Sequence, residues 1–387
     1  MIYRPCDSSC PESIMRHLFY DLIRVSIGTQ NRLSRLPSEA EWEGLFDMAL
    51  KQSLVGICFA GLHSLGADSD DGYAKIGMSE ELFFNWMGMA AHINIENDVA
   101  NGQCVTLQKR IAADGLRSCV LKGQGVAALY GEKLRGFRQS GDIDIWIDAS
   151  REKVIDYVMS QAPTKDFDQK HIHFHCFENT EVEAHWAPSV WENPRHNRIL
   201  HDYFEGIRER QFANVNEGIY VPSPDFQVAH QLLHVYRHYV YEGVGLRQMM
   251  DLYFAQLACT GSAESPEEYG KYHEVLELFR KLGLLKYVAA TQWVLQLVFG
   301  MPEGNLICAP DAKEGRKLLD EIMIGGNFGH HDKRNYVKGE TFVRRFLRRW
   351  GRKFRMFRFD ALGTLIMPLS RLQLEFWMRR VRRKYNV

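Results

Sequence analysis

The sequence predicts an α+β fold in which a small mixed-sheet unit sits between helical N- and C-terminal regions. Three observations predict it. Apolar residues at i, i+3, i+4 spacing fill the first hundred positions and return after Pro222. Between these regions, short alternating runs near 118, 142 and 171–185 read as strands. Capping residues and glycines mark the changeovers. The implied division is a helical region at 1–113, an α/β core at 114–222, a helical domain at 223–340 and basic amphipathic helices at 341–387.

Taken in order, Ile14, Met15, Leu18, Phe19, Leu22 and Ile23 share one helix face. Ser38 and Glu41 form a capping box ahead of Trp42, Leu45, Phe46 and Ala49. After a glycine-containing loop at 66–77, Ser79 opens a long helix that runs to about Ala113, where Asp114 and Gly115 end it. Ser118 to Leu121 is a short strand, Gly125 to Tyr130 a helix, Asp142 to Ile147 a strand and Glu152 to Ser160 a helix. His171 to Phe177 and Glu181 to His185 alternate polar and apolar residues, and Glu178, Asn179 and Thr180 read as the hairpin turn between them. With the turn centred on Asn179, Glu183 falls opposite His175 and His185 opposite His173. Ser223 and Pro224 open the next helix, and Ser265 with Pro266 repeats that start. Helices then fill the chain, broken near Gly325-Gly326 and at Pro368.

A chain of 387 residues, 45% hydrophobic and 25% charged, can form two or three compact units of ordinary globular composition. The start lacks the basic head and apolar run of a secretory signal. No stretch reaches the roughly 18 apolar residues that span a bilayer. Eight cysteines without a CxxC pair read as reduced thiols, so the expected location is the cytoplasm. Net charge is zero, yet 341–387 carries fourteen Lys/Arg against two acids, leaving −12 on the remainder. This basic end, with Phe346, Trp350, Phe354, Phe357, Phe359 and Trp377, suits packing on the acidic body or contact with an anionic membrane surface, peripherally at the inner face. Nucleic acid is the minor option, because no nucleic-acid-binding motif is present.

The chemistry concentrates in LKGQGVAALYGEKLRGFRQSGDIDIWID, from Leu121 to Asp148. Asp142 and Asp144 alternate with Ile143, Ile145 and Ile147, so both carboxylates share one strand face. Like charges side by side repel, whereas Mg²⁺ takes one or two carboxylates together with substrate phosphates. A lone DxD is a weak signal. Gly123, directly after a buried strand, strengthens it, because a glycine lets backbone N–H groups approach a phosphate. Glu183 is the best third carboxylate for a two-metal site. The bland alternative is the solvated face of an amphipathic hairpin, against which Val182 and Trp186 argue for burial.

This run, followed by VEAHW, resembles the nucleotidyltransferase superfamily that includes DNA polymerase β, and within it a bacterial family of uncharacterised nucleotidyltransferases. Lys122-Gly123, Arg138, Asp142-Ile143-Asp144 and Glu183-Ala184-His185-Trp186 match in order. EWEGLFDMALKQSLVGICFAGL and GVGLRQMMDLYF extend the likeness over most of the chain. The resemblance implies a polymerase β-like core in which Asp142, Asp144 and Glu183 hold two Mg²⁺, with Mn²⁺ as substitute. It implies an NTP as co-substrate, bound through Lys122, Arg138 and the backbone at Gly123 and Gln124. The reaction would move an NMP to a hydroxyl of a small molecule, sugar or protein and release pyrophosphate, with Glu183 accepting the proton. His185, His175 and Arg247 are supporting residues. The chain departs from the wider pattern in three ways: Gln124 replaces a serine or glycine, the gap to the DxD is longer, and the third acid is Glu.

Other readings compete. His171, His173 and His175 share a strand face with Glu183 across from them and could bind zinc, although adjacent same-face residues lie roughly 7 Å apart. His230, His234 and His238 repeat at i+4, more often a polar helix face than a metal site. Arg247 and Asp251, also at i+4, are either a helix ion pair worth about 0.3–0.5 kcal/mol or a nucleotide contact. At the level of function, the alternative to an enzyme is a catalytically inactive binding or regulatory protein on the same fold, such as an antitoxin-like or partner-binding module.

Overall fold

A computed structural model describes residues 11–216, 218–261, 266–332 and 374–387. Helices α1 (Pro11–Ile27), α2 (Glu39–Gln52), α3 (Val55–Ser64), α4 (Gly72–Lys75) and α5 (Glu80–Ala113) come first. Ser38 and Glu41 form the expected capping box at α2, and Ser79 stands at the start of the 34-residue α5. The core follows: β1 (Ser118–Val120), α6 (Gln124–Ala127), β2 (Ile143–Ile147), α7 (Arg151–Gln161), β3 (His171–His173) and β4 (Val182–His185). Helix α8 (Pro194–Gly206) and the short strands β5 (Val215–Asn216) and β6 (Ile219–Tyr220) lead into α9 (Pro224–Tyr241), α10 (Leu246–Thr260), α11 (Pro266–Lys281), α12 (Leu285–Phe299) and α13 (Ala312–Gly325). A last helix, α14, covers 374–385. The expected break at Pro368, the cap at Ser265 and the aromatics from Phe346 to Phe359 lie outside the described residues.

The four-stranded sheet has the order β1-β2-β4-β3, with β2 and β4 parallel and the outer pairs antiparallel. Its two faces are unlike. Val120, Ile143, Ile145, Ile147, Ile172, Val182 and Ala184 bury one face against Cys104, Leu107 and Ile111 of α5 and Val154, Ile155 and Val158 of α7. On the other face, Trp146 stacks on Phe226 of α9 and leans on Phe212. Asp144, Glu183, His185, His171 and His173 lie on that same second face, because side chains alternate along each strand.

Two expectations about the hairpin need correction. Strand β3 stops at His173, and the ladder pairs His173 with Glu183 and His171 with His185, two residues away from the expected register. The cause is Phe174, which is fully buried against Tyr157 of α7 and still donates its N–H to Val182 O, so the connection is 174–181 rather than a tight turn at 178–180. A slip by an even number keeps every side chain on its face. The face assignment therefore holds while the pairs change.

The end of the basic tail packs on the core. Trp377 of α14 meets Phe167 and Trp186 edge-on, Met378 joins the apolar cluster under the sheet, and Lys384 pairs with Asp156 of α7 at 2.9 Å. No helix among the described residues is long and apolar enough to cross a membrane.

Candidate nucleotidyl-transfer site

Parallel pairing of β2 and β4 brings Asp144 directly beside Glu183, and antiparallel pairing puts His173 beyond Glu183. One step along, Trp146, His185 and His171 form the next row. Asp142 lies just before β2, at the exposed mouth. Lys122 reaches in from the end of β1, where Leu121 N–H donates to Asp144 O at 2.8 Å.

The contacts are short. Lys122 Nζ lies 2.6 Å from Asp144 Oδ1. His185 is fully buried, and its Nε2 donates toward Asp144 Oδ1 at 3.0 Å and Glu183 Oε2 at 3.1 Å. His171 Nδ1 stands 3.2 Å from Glu183 Oε2, and Lys170 Nζ stands 3.9 Å from the same oxygen. Burial works against the charge on Asp144, but Lys122 and His185 outweigh it and hold its carboxyl well below the usual range. Asp142 goes the other way. Partial desolvation and the carboxylates of Asp144, Glu183 and Glu181 push it up. Burial, reinforced by Lys122, brings Lys170 down to about 8. Burial, with His185 and Lys170 nearby, brings His171 down to about 3.

Gly123 takes φ +55°, and a Cβ there would come within 3.3 Å of Asp142 O, so the Lys122–Gly123 turn lies close against the head of the acid strand. Gln124 turns away from the turn. Its Nε2 donates to Asn97 Oδ1 at 3.2 Å and Asn101 Oδ1 at 3.0 Å, both on α5. Arg138 is also engaged elsewhere. Its Nε and Nη2 meet both oxygens of Asp251 at 2.7 and 2.8 Å, and Tyr130 Oη donates to the same carboxylate at 2.6 Å. Burial opposes the Arg138 charge, and Asp251 overrides it and raises its pKa. The long gap between Lys122 and Asp142 thus holds α6 and the turns after it, which Asp251 clamps from α10 through Tyr130 and Arg138.

The remaining expected residues are dispersed. His175 leaves the row, with Nε2 at 3.3 Å from Thr164 Oγ1. Arg247 is buried, donates to Gln139 O at 2.9 Å and lies over the ring of Phe328; Asp251, its i+4 neighbour, serves Arg138 instead. His230 and His234 stack along α9, and His230 Nε2 stands 3.2 Å from Pro188 O. Lys170 was not among the expected residues. It enters the site through pairing at the edge of the sheet, where Trp186 N–H donates to Lys170 O at 3.0 Å, and no local pattern marks it.

A family model described as uncharacterised nucleotidyltransferase matches residues 38–300. The chain belongs to this family. No curated protein and no solved structure matches it. For a member of this nucleotidyltransferase family, an NTP is the implied substrate and a divalent metal the implied cofactor. Asp144, Glu183 and His185 each offer a ligand atom, all within 4.8 Å of one another. That donor set, two carboxylates and an imidazole with Asp142 beside them, fits a divalent cation, because the three acids outnumber Lys122 and Lys170 by one charge.

Proposed function

We propose that this nucleotidyltransferase family member transfers an NMP from an NTP to an acceptor hydroxyl, with release of pyrophosphate. The observation that carries the reading is the parallel register of Asp144 with Glu183, with Lys122 at 2.6 Å from Asp144. Asp142, Asp144 and Glu183 would hold Mg²⁺, or Mn²⁺ in its place. When bound, the metal neutralises triphosphate charge and lowers the pKa of the attacking hydroxyl. Lys122, here paired with Asp144, would turn to the phosphate oxygens as negative charge builds on the leaving group. Glu183 accepts the hydroxyl proton. Arg138 acts at one remove, fixing the 122–144 loop through Asp251 rather than touching phosphate.

A second reading has an observation in its favour. Arg138, which the resemblance assigns to the phosphates, is taken up by Asp251. On that reading the fold binds nucleotide without turnover.

The test is thermal stability with each of the four NTPs, with Mg²⁺ and with EDTA. At 100-fold excess over Kd a ligand specific for the folded state adds about 2.7 kcal/mol. The expected result is a rise that needs both Mg²⁺ and a nucleotide and vanishes in Asp142→Ala/Asp144→Ala. No rise at saturating Mg²⁺-NTP overturns the proposal. A rise without pyrophosphate release, across a panel of hydroxyl acceptors, selects the binding reading.

A further inference from the structure

We infer that the site holds two unlike cation positions, and that the second, made by His171, His173 and Glu183, takes a nitrogen-seeking transition metal such as Zn²⁺ rather than Mg²⁺. This deepens the proposed function by assigning a metal class to one half of its site.

The donor set is the first argument. His171, His173 and Glu183 each bring one ligand atom to within 4.8 Å of the others. Mg²⁺ is a hard ion that seeks oxygen, whereas imidazole suits zinc and its neighbours. Two histidines and a glutamate supply three protein ligands and leave a position open, the arrangement of catalytic rather than structural zinc sites.

Placement is the second. Three histidines in a row on one strand would be too spread out to meet at one ion. Here only two remain in the row. His175 has left it for Thr164, and the third ligand comes from across the ladder, where Glu183 pairs with His173. Directly opposed residues have Cβ atoms roughly 5 Å apart, close enough to share an ion.

His171 is the third. It is 8% exposed, and its Nδ1 lies 3.2 Å from Glu183 Oε2 and 3.6 Å from Asp168 Oδ1 yet makes no hydrogen bond. A buried ring nitrogen without a hydrogen bond is costly, and a cation shared with Glu183 satisfies it. Asp168 is itself fixed, accepting from the backbone N–H groups of Lys170 and His171, and it adds a second carboxylate oxygen on the side of that same Nδ1. Glu183 is common to this set and to Asp144, Glu183 and His185. It therefore bridges an oxygen-rich position toward Asp142 and Asp144 and a nitrogen-rich one toward β3. Lys170, at 3.9 Å from Glu183, is the cation that such a metal must displace or share with.

The experiment uses the full chain, free of any affinity tag and stripped of metal. Zn²⁺ is titrated calorimetrically in excess Mg²⁺, and the zinc-loaded protein is measured by zinc K-edge X-ray absorption. The expected result is Zn²⁺ binding that Mg²⁺ does not displace, with two imidazole ligands. His173→Ala, at a half-buried position, should remove one of them. His171→Ala/His173→Ala should remove both and weaken zinc by at least about 100-fold, above the 10–100-fold typical of losing an outer partner. Displacement of Zn²⁺ by Mg²⁺, or an unchanged imidazole count in both variants with the fold intact by circular dichroism, overturns the inference. In either case the Mg²⁺-dependent NTP stabilisation is measured on the same protein. If it persists, only the second position is wrong; if it is absent as well, the nucleotidyl-transfer reading fails with it.

Discussion

Around Asp251, one carboxylate meets Arg138 through two N–H groups and Tyr130 through its hydroxyl, all within 2.8 Å. Around Asp144 and Glu183, by contrast, two lysines and two histidines stand at 2.6 to 3.9 Å, with a third acid, Asp142, at the edge. Both clusters are buried. The first matches donors to acceptors and closes. The second sets three acids against two lysines, and it pulls Asp144 down, Asp142 up and Lys170 down. Structural ion pairs and functional sites both perturb protonation, but charges that remain unmatched suit a site that awaits a charged ligand.

The largest expected effect separates the two. Asp144→Asn should lower NMP transfer by roughly 10³-fold or more, because several kcal/mol of charge stabilisation depends on that carboxylate and each 1.36 kcal/mol is tenfold. It should still fold, as judged by circular dichroism. Asp251→Ala should do the reverse in kind: it strands Arg138 and costs about 3–5 kcal/mol of stability in a urea melt. If Asp144→Asn destabilises as much as Asp251→Ala, the contrast between a working cluster and a closing one is wrong.

A sharper version replaces both partners. Arg138→Met/Asp251→Leu removes the stranded charge, so its urea midpoint should recover most of what Asp251→Ala loses. Failure to recover would mean that the loop, not the charge balance, sets the cost.

Next in size is Gly125→Ala, in the segment that leaves one cluster and reaches the other. A Cβ there would sit 2.1 Å from Val120 O. The backbone must shift, and we expect a loss of about 1–3 kcal/mol with a drop in nucleotide-induced stabilisation.

The smallest effect lies at the far end of β2. Burial works against the Asp148 charge, but Arg208 and Arg117 hold its carboxyl below the usual range. A depressed folded pKa stabilises above the unfolded value of about 3.9 and loses that benefit as pH falls through the folded value. The melting temperature of wild type should therefore exceed that of Asp148→Asn at neutral pH, and the gap should close below about pH 4. A gap that persists in acid would show packing, not charge, at work.

Much of this architecture was legible in the sequence. Ser38 with Glu41 and the long stretch after Ser79 marked α2 and α5, because capping chemistry and 3.6-residue periodicity are local. The shared face of Glu183 and His185, and the side that Asp144 takes on β2, were legible for the same reason, as alternation fixes which face a strand residue takes, whereas Lys122, in the turn after β1, came from the family resemblance alone. The partners were not. Arg138 meets a carboxylate 113 positions away, so the nearby Arg247 looked like the better mate for Asp251. The β3–β4 register turned on how deeply Phe174 buries, which no turn motif encodes. Lys170 depends on that register too. What a residue faces across space is set by packing between segments, and single-sequence patterns carry little of it.

Asn97, in the middle of α5, has consequences beyond its own contacts. Its amide nitrogen carries two hydrogens yet lies 3.0, 2.9 and 2.7 Å from the carbonyls of Ile93, Gly136 and Arg138, while its oxygen accepts from Gln124. Three acceptors compete for two hydrogens, so the joint has no slack. The turn after β1 and the stretch before β2 are fastened by one side chain, and neither can shift without pulling on the other. Mechanically, the two segments are mounted together on a helix 34 residues long. A twist or slide of that helix, applied well away from the carboxylates, would move both segments together and pull on the bond by which Gln227 of α9 holds Gly125 O at 3.2 Å.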